Sequence, residues 1–157
     1  MRTSLGEGEW ARRLQSGFSI FEAVMVLLVA AVVLAALTPG VVRTLKHSRV
    51  NRAANAISAQ FYLAQSLAGR QRKPVTVTVS TADRTIVIAD AVSGTTLATG
   101  SYGMDSDYKL AALSATPPVV YLLPSGLANA SIVVDIGDAS YRQQVRMTRA
   151  GQIRILR

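Results

Sequence analysis

Arg12-Arg13-Leu14-Gln15-Ser16-Gly17-Phe18-Ser19-Ile20-Phe21-Glu22 leads into Ala23–Leu37, an unbroken run of 15 apolar residues. Thr38, Pro39 and Gly40 interrupt that run only briefly before Val41 and Val42. Counted from Phe18 to Val42 the segment has 25 residues. As an α-helix it would measure about 37 Å, against a hydrocarbon core of about 30 Å, so it is long enough to span a bilayer. A cleaved secretory signal is the first rival, since it too places basic residues before an apolar core. The run is longer than a usual signal core, however, and Leu37-Thr38-Pro39 forms a small-residue cleavage pattern poorly, so the segment reads as retained. Glu22 is the residue that needs an explanation. A carboxylate at the mouth of an apolar span costs free energy unless it is paired or functional. The plainer alternative is that it snorkels to the interface.

Basic residues, then Gly17, then Phe18, with Glu22 the fifth residue after that Gly and an apolar helix behind it: this resembles the class III leader and N-terminus of type IV pilins and type II secretion pseudopilins. Ser19 and Phe21 stand where Thr and Leu or Ile are commoner. The resemblance implies that prepilin peptidase cuts between Gly17 and Phe18 on the cytoplasmic face and methylates the new amine of Phe18. It also implies that, in a packed helical filament, the carboxylate of Glu22 neutralises that amine on a neighbouring pilin or pseudopilin. Two charges that would each be expensive in lipid then become a pair that sets register. Pro39 has two readings: it kinks or locally melts the helix, which in this family bends the stalk, or it ends the membrane helix. Charge counting alone would put the flank with Arg43, Lys46, Arg49 and Arg52 in the cytoplasm. The leader motif implies the opposite orientation, with a single pass through the bacterial inner membrane and a periplasmic head.

Composition narrows the chemistry. The chain has 157 residues, 50% hydrophobic and 17% charged, with no Cys and one His. A charged fraction below the roughly 25% of ordinary soluble domains points to a buried or lipid-facing segment. Disulfides, thiol nucleophiles, cysteine zinc sites and multi-His metal sites are excluded, and no acid–base or nucleophile constellation suggests an enzyme or a cofactor. The net charge of +8 is gathered in blocks. No acid lies between Glu22 and Asp83, and none follows Asp138. Such blocks suit anionic surfaces: lipid head groups, nucleic acid or acidic partners.

Beyond Val42 the pattern turns amphipathic. Val50, Ala54, Ile57, Phe61, Ala64 and Ala68 recur four and three apart, as one helix face requires. Lys73-Pro74 closes the helix, so Ser19–Arg72 predicts about 80 Å of it at 1.5 Å per residue. From Val75 the period becomes two. Val75–Ser80 and Thr85–Ala89 flank a turn at Ala82-Asp83-Arg84. Further strands are expected at Thr95–Ala98, Tyr108–Leu113, Val119–Leu123, Ser131–Ile136, Tyr141–Met147 and Ile153–Leu156. The expected fold is α+β, a long N-terminal helix whose amphipathic half packs on an antiparallel sheet. Four regions follow: a leader over 1–17, a transmembrane helix over 18–42, its amphipathic continuation over 43–73, and a β-rich head over 74–157.

Tyr121-Leu122-Leu123-Pro124-Ser125-Gly126, Val145-Arg146-Met147 and Gly151-Gln152-Ile153-Arg154 resemble the last half of the GspH/FimT family of minor pseudopilins. There an aromatic-x-Pro-x-Gly type element precedes a hairpin whose turn carries Gly-Arg; Leu123 and Gln152 depart from it. Alternation puts Val145, Met147, Ile153 and Ile155 on one face of the terminal hairpin and Arg142, Gln144, Arg146, Gln152 and Arg154 on the other, with Arg149 near the turn. In the FimT branch a Gly-Arg-x-Arg element binds DNA during transformation, and Gln152 here removes half of its arginine pair. If Arg142, Arg146, Arg149, Arg154 and Arg157 all met duplex phosphates, log affinity would fall with log salt at a slope of about −4.5. The alternative is a face for solvent or an acidic neighbouring subunit. Asp105-Ser106-Asp107 falls short of a calcium site, which needs about six to eight oxygens. Asn129-Ala130-Ser131 fits a short glycosylation sequon, and His47 reads as solvated. The resemblance therefore implies a minor pseudopilin of type II secretion, with a DNA-binding minor pilin as the alternative.

Overall fold

The computed structural model describes residues 19–137 and 141–156, apart from the side chains of residues 36–43. The Gly17–Phe18 bond and Arg157 lie outside the described residues, as does the side chain of Pro39. The chain divides into two compact units, Met1–Val42 and Arg43–Arg157. Helix α1 (Ile20–Gln71, 52 residues) contributes to both.

In the first unit, Ser19 starts the helix. Its Oγ accepts the Phe21 N–H at 3.3 Å, and its carbonyl accepts the Ala23 N–H at 3.1 Å. A hydroxyl at this position satisfies one of the backbone donors that a helix start leaves unpaired. Glu22 falls in the first turn, where the helix dipole favours a negative charge. Ile20, Phe21, Val24–Val29 and Val32–Leu34 are all at least 51% exposed, so no side of the helix is covered. Among the described residues, no helix is long and apolar enough to cross a membrane. The helical assignment continues through Pro39.

In the second unit, Val50, Ala54, Ile57, Phe61, Ala64 and Ala68 are each 3% exposed or less, as their spacing predicts, and Ala53 joins them. Arg72, with φ +53°, turns the backbone out of the helix before Pro74. Eight strands follow: β1 (Val75–Ser80), β2 (Thr85–Asp90), β3 (Thr96–Ser101), β4 (Ala112–Thr116), β5 (Val119–Leu122), β6 (Ile132–Gly137), β7 (Arg142–Met147) and β8 (Ile153–Leu156). They form two antiparallel sheets, ordered β3-β2-β1-β5 and β4-β6-β7-β8. The inner faces of both sheets share one core with the apolar stripe of α1. The chain passes between the sheets at Thr116-Pro117-Pro118, where the Thr116–Pro117 bond is cis.

The expected strand over Tyr108–Leu113 is corrected to Ala112–Thr116. Lys109 takes φ +49°, which a strand cannot accommodate, and the Leu110 N–H donates to the Tyr102 carbonyl at 3.0 Å. Tyr108 lies against the ring of Tyr102, with centroids 5.2 Å apart. Residues 102–110 thus close a loop over the core, and burial raises the Tyr102 phenol above its ordinary value. His47 is not merely solvated: its ring stacks on Tyr141 at 4.1 Å and 21°.

Candidate functional site: the terminal hairpin and its clasp

The β7–β8 hairpin carries the arginines. Val145 and Met147 are fully buried, while Arg142, Gln144, Arg146 and Arg154 are exposed. Arg146 pairs with Arg154 across the two strands, so their side chains leave the same face. With Thr148, Gln152 and Leu156 they line a shallow groove of about 300 Å³. Arg149 does not join them. It sits exposed in the turn, and its carbonyl accepts the Ala128 N–H at 2.8 Å. Ile155, expected on the buried side, is 37% exposed.

Within the hairpin the arginine face has no acid, but the neighbouring strand supplies one. Asp135 of β6 pairs with Gln144, whose Nε2 donates to Asp135 Oδ1 at 2.7 Å. It therefore lies on the same outer face, in the row between those of Arg142 and Arg146. Alternation along one strand does not reveal this, because register between strands decides it.

The two motifs near the C-terminus come together. Leu123-Pro124-Ser125-Gly126 is a β-turn closed by the Gly126 N–H on the Leu123 carbonyl at 2.9 Å. Gly126 has φ +81° and Gly151 φ +79°, the left-handed region that favours glycine. The Gly126 carbonyl and Gln65 of α1 crowd the position a Gly151 side chain would take. Gln65 Nε2 donates to the Gly151 carbonyl at 2.7 Å and lies 3.9 Å from the Met147 sulfur. Helix, Pro-x-Gly turn and hairpin turn are thereby fastened at one point. Helix periodicity does not single out Gln65, although a polar side chain between Phe61 and Ala68 on a packed helix is a local signal.

Asp105 and Asp107 are both exposed, and the Ser106 hydroxyl between them donates to the Gly103 carbonyl at 2.7 Å. Among the described residues, no three metal-ligating side chains converge. Asn129 Oδ1 is engaged, accepting the Tyr121 N–H at 2.9 Å.

The family model described as Type II transport protein GspH matches residues 53–151, well over half of the chain. The chain belongs to the GspH family. Both glycine turns of the clasp fall inside the matched residues, and β8 falls just beyond them. Solved structures agree at the level of fold. The type IV minor pilin FimU of Pseudomonas aeruginosa matches with a TM-score of 0.57 and 17% identity, over 71% of this chain and 90% of that one. The minor pseudopilin EpsH from the Type 2 Secretion System of Vibrio cholerae matches with a TM-score of 0.52 and 14% identity, over 69% and 96%. No curated protein matches the sequence. This GspH-family chain thus has the pilin-like arrangement, a long N-terminal helix with antiparallel sheets packed on its second half.

Proposed function

We propose that this chain is a minor pseudopilin, a structural subunit of the periplasmic pseudopilus of a type II secretion system. One observation carries the reading: the apolar side chains from Ile20 to Leu34 stand exposed on every side of α1, behind a single carboxylate in its first turn. A helix apolar all round needs lipid or other apolar helices for cover. A bilayer before assembly and a bundle of pilin helices after it would supply both. In this account residues 1–17 are the leader, residues 18–42 anchor the subunit in the inner membrane, and the remainder lies in the periplasm. Prepilin peptidase cuts between Gly17 and Phe18 and methylates Phe18. Glu22 neutralises the amine of a neighbouring subunit, and Pro39 bends the helix. The subunit has a packing role and no catalytic one.

A second reading, a minor pilin that captures DNA, has Arg142, Arg146 and Arg154 on one face in its favour and Asp135 on that face against it. With three phosphate contacts, log affinity would fall with log salt at a slope of about −2.7, and a slope near zero removes this reading. Deleting the gene and measuring exoprotein secretion and natural transformation together separates the two. Loss of secretion is expected; loss of transformation with intact secretion would reverse the ranking.

A further inference from the structure

We propose that the free edge of β8 receives an extended acidic segment of a neighbouring subunit as a fifth strand of the second sheet. This rests on the pseudopilin reading only for the identity of the partner. β8 pairs with β7 alone, so among the described residues its outer backbone donors and acceptors have no strand partner. Such an edge is a template for another strand. Among the described residues nothing shields it: Ile155, on the side facing α1, is 37% exposed, and Leu156, on the other side, is 41% exposed.

The two faces of that edge specify what the added strand carries. On the outer face Arg154 lies beside Arg146 along the 300 Å³ groove. On the inner face a slot of about 320 Å³ is lined, among the described residues, by Asn51 and Asn55 of α1, Gln143 and Ile155. Gln143 is 3% exposed. Its Nε2 donates to the Tyr141 hydroxyl at 3.0 Å, and that hydroxyl donates to Asn51 Oδ1 at 3.3 Å. In this arrangement Gln143 Oε1 is buried without a donor. An unmet buried acceptor is costly, and most such groups in folded proteins are satisfied.

Side chains along a strand alternate between faces. A strand laid on β8 therefore turns one set of side chains toward Arg154 and Arg146 and the other set toward the amide-lined slot. Carboxylates suit the first, since guanidinium and carboxylate form the stronger, charge-assisted hydrogen bonds. Hydroxyl or amide donors suit the second. A basic strand would be repelled. Nucleic acid would use the arginines but could neither pair with the sheet edge nor supply the slot, and it would meet Asp135 in the adjoining row.

The test uses the full-length chain in detergent micelles and a fluorescently labelled peptide of about nine residues, alternating Glu and Thr, long enough to cover an edge strand. Saturable binding is expected, with slowed hydrogen exchange at residues 153–156. A Lys–Thr peptide should fail to bind. Arg154→Glu should weaken the Glu–Thr peptide about tenfold or more, the loss of a charge-assisted pair replaced by repulsion. Gln143→Leu, which removes the buried acceptor, should weaken it as well while preserving the packing of β7. Absence of saturable binding, binding with unchanged exchange at β8, or an Arg154→Glu chain that binds normally would overturn the proposal. So would a short DNA duplex that protects β8 where the peptide does not. Because the readout is on the isolated chain, it is independent of the secretion and transformation phenotypes.

Discussion

Gly151 and Gly126 show how much of this head depends on single backbone positions. Gly151 holds φ +79° against the Gly126 carbonyl, with Gln65 Nε2 2.9 Å from the place of a would-be Cβ. Gly151→Ala adds both a left-handed penalty and a clash, so we expect a loss of about 1–3 kcal/mol and a melting temperature lower by several degrees, read by thermal unfolding. Asp90 makes a second prediction. Its Oδ1 accepts the N–H of Val92 at 2.7 Å and of Ser93 at 3.1 Å. These bonds, helped by Lys73 and opposed by desolvation, hold the carboxyl below its ordinary value of 3.8. A depressed carboxyl pKa stabilises the fold above the unfolded value, and that contribution is lost as pH falls through the folded one. Asp90→Asn should therefore flatten the acid limb of the stability curve below about pH 4 and leave its shape near neutrality unchanged, by urea melts across pH. Neither glycine contact nor the buried Gln143 was legible from local sequence. Each depends on residues tens of positions away.

At the scale of elements, helix periodicity was the most legible signal. Every residue expected on the buried face of α1 is buried, because spacing of three and four fixes a face without knowledge of the partner. Ile57→Ala removes a fully buried side chain between α1 and the sheets and should cost about 2–5 kcal/mol in denaturant unfolding. Strand alternation was nearly as informative for β1, β2, β6 and β7. It misplaced β4, since the apolar residues Leu110 and Tyr108 serve a loop that closes over the core. The division into two sheets was not legible at all. Strand order follows from long-range pairing, and Pro117-Pro118 marks a break after β4 without indicating that the chain changes sheets there.

For the molecule as a whole, sequence and structure contribute different parts of the functional account. The leader motif is read from sequence, whereas the uncovered apolar surface of α1 and the arginine face are read from the fold. The arginine face is legible strand by strand, but Asp135 enters it only through register, and its carboxylate counts against phosphate binding there. Family membership rests on residues 53–151, the C-terminal part of α1 and the strands through β7. The proposed assembly role rests on the helix, and in that proposal Glu22 is the decisive side chain. In a strain lacking the gene, complementation with the Glu22→Gln chain, measured as the rate of exoprotein secretion, tests this most directly. The account predicts that the variant accumulates in membranes at the wild-type level and begins at methylated Phe18, yet restores little or no secretion. Full secretion with the variant would contradict it.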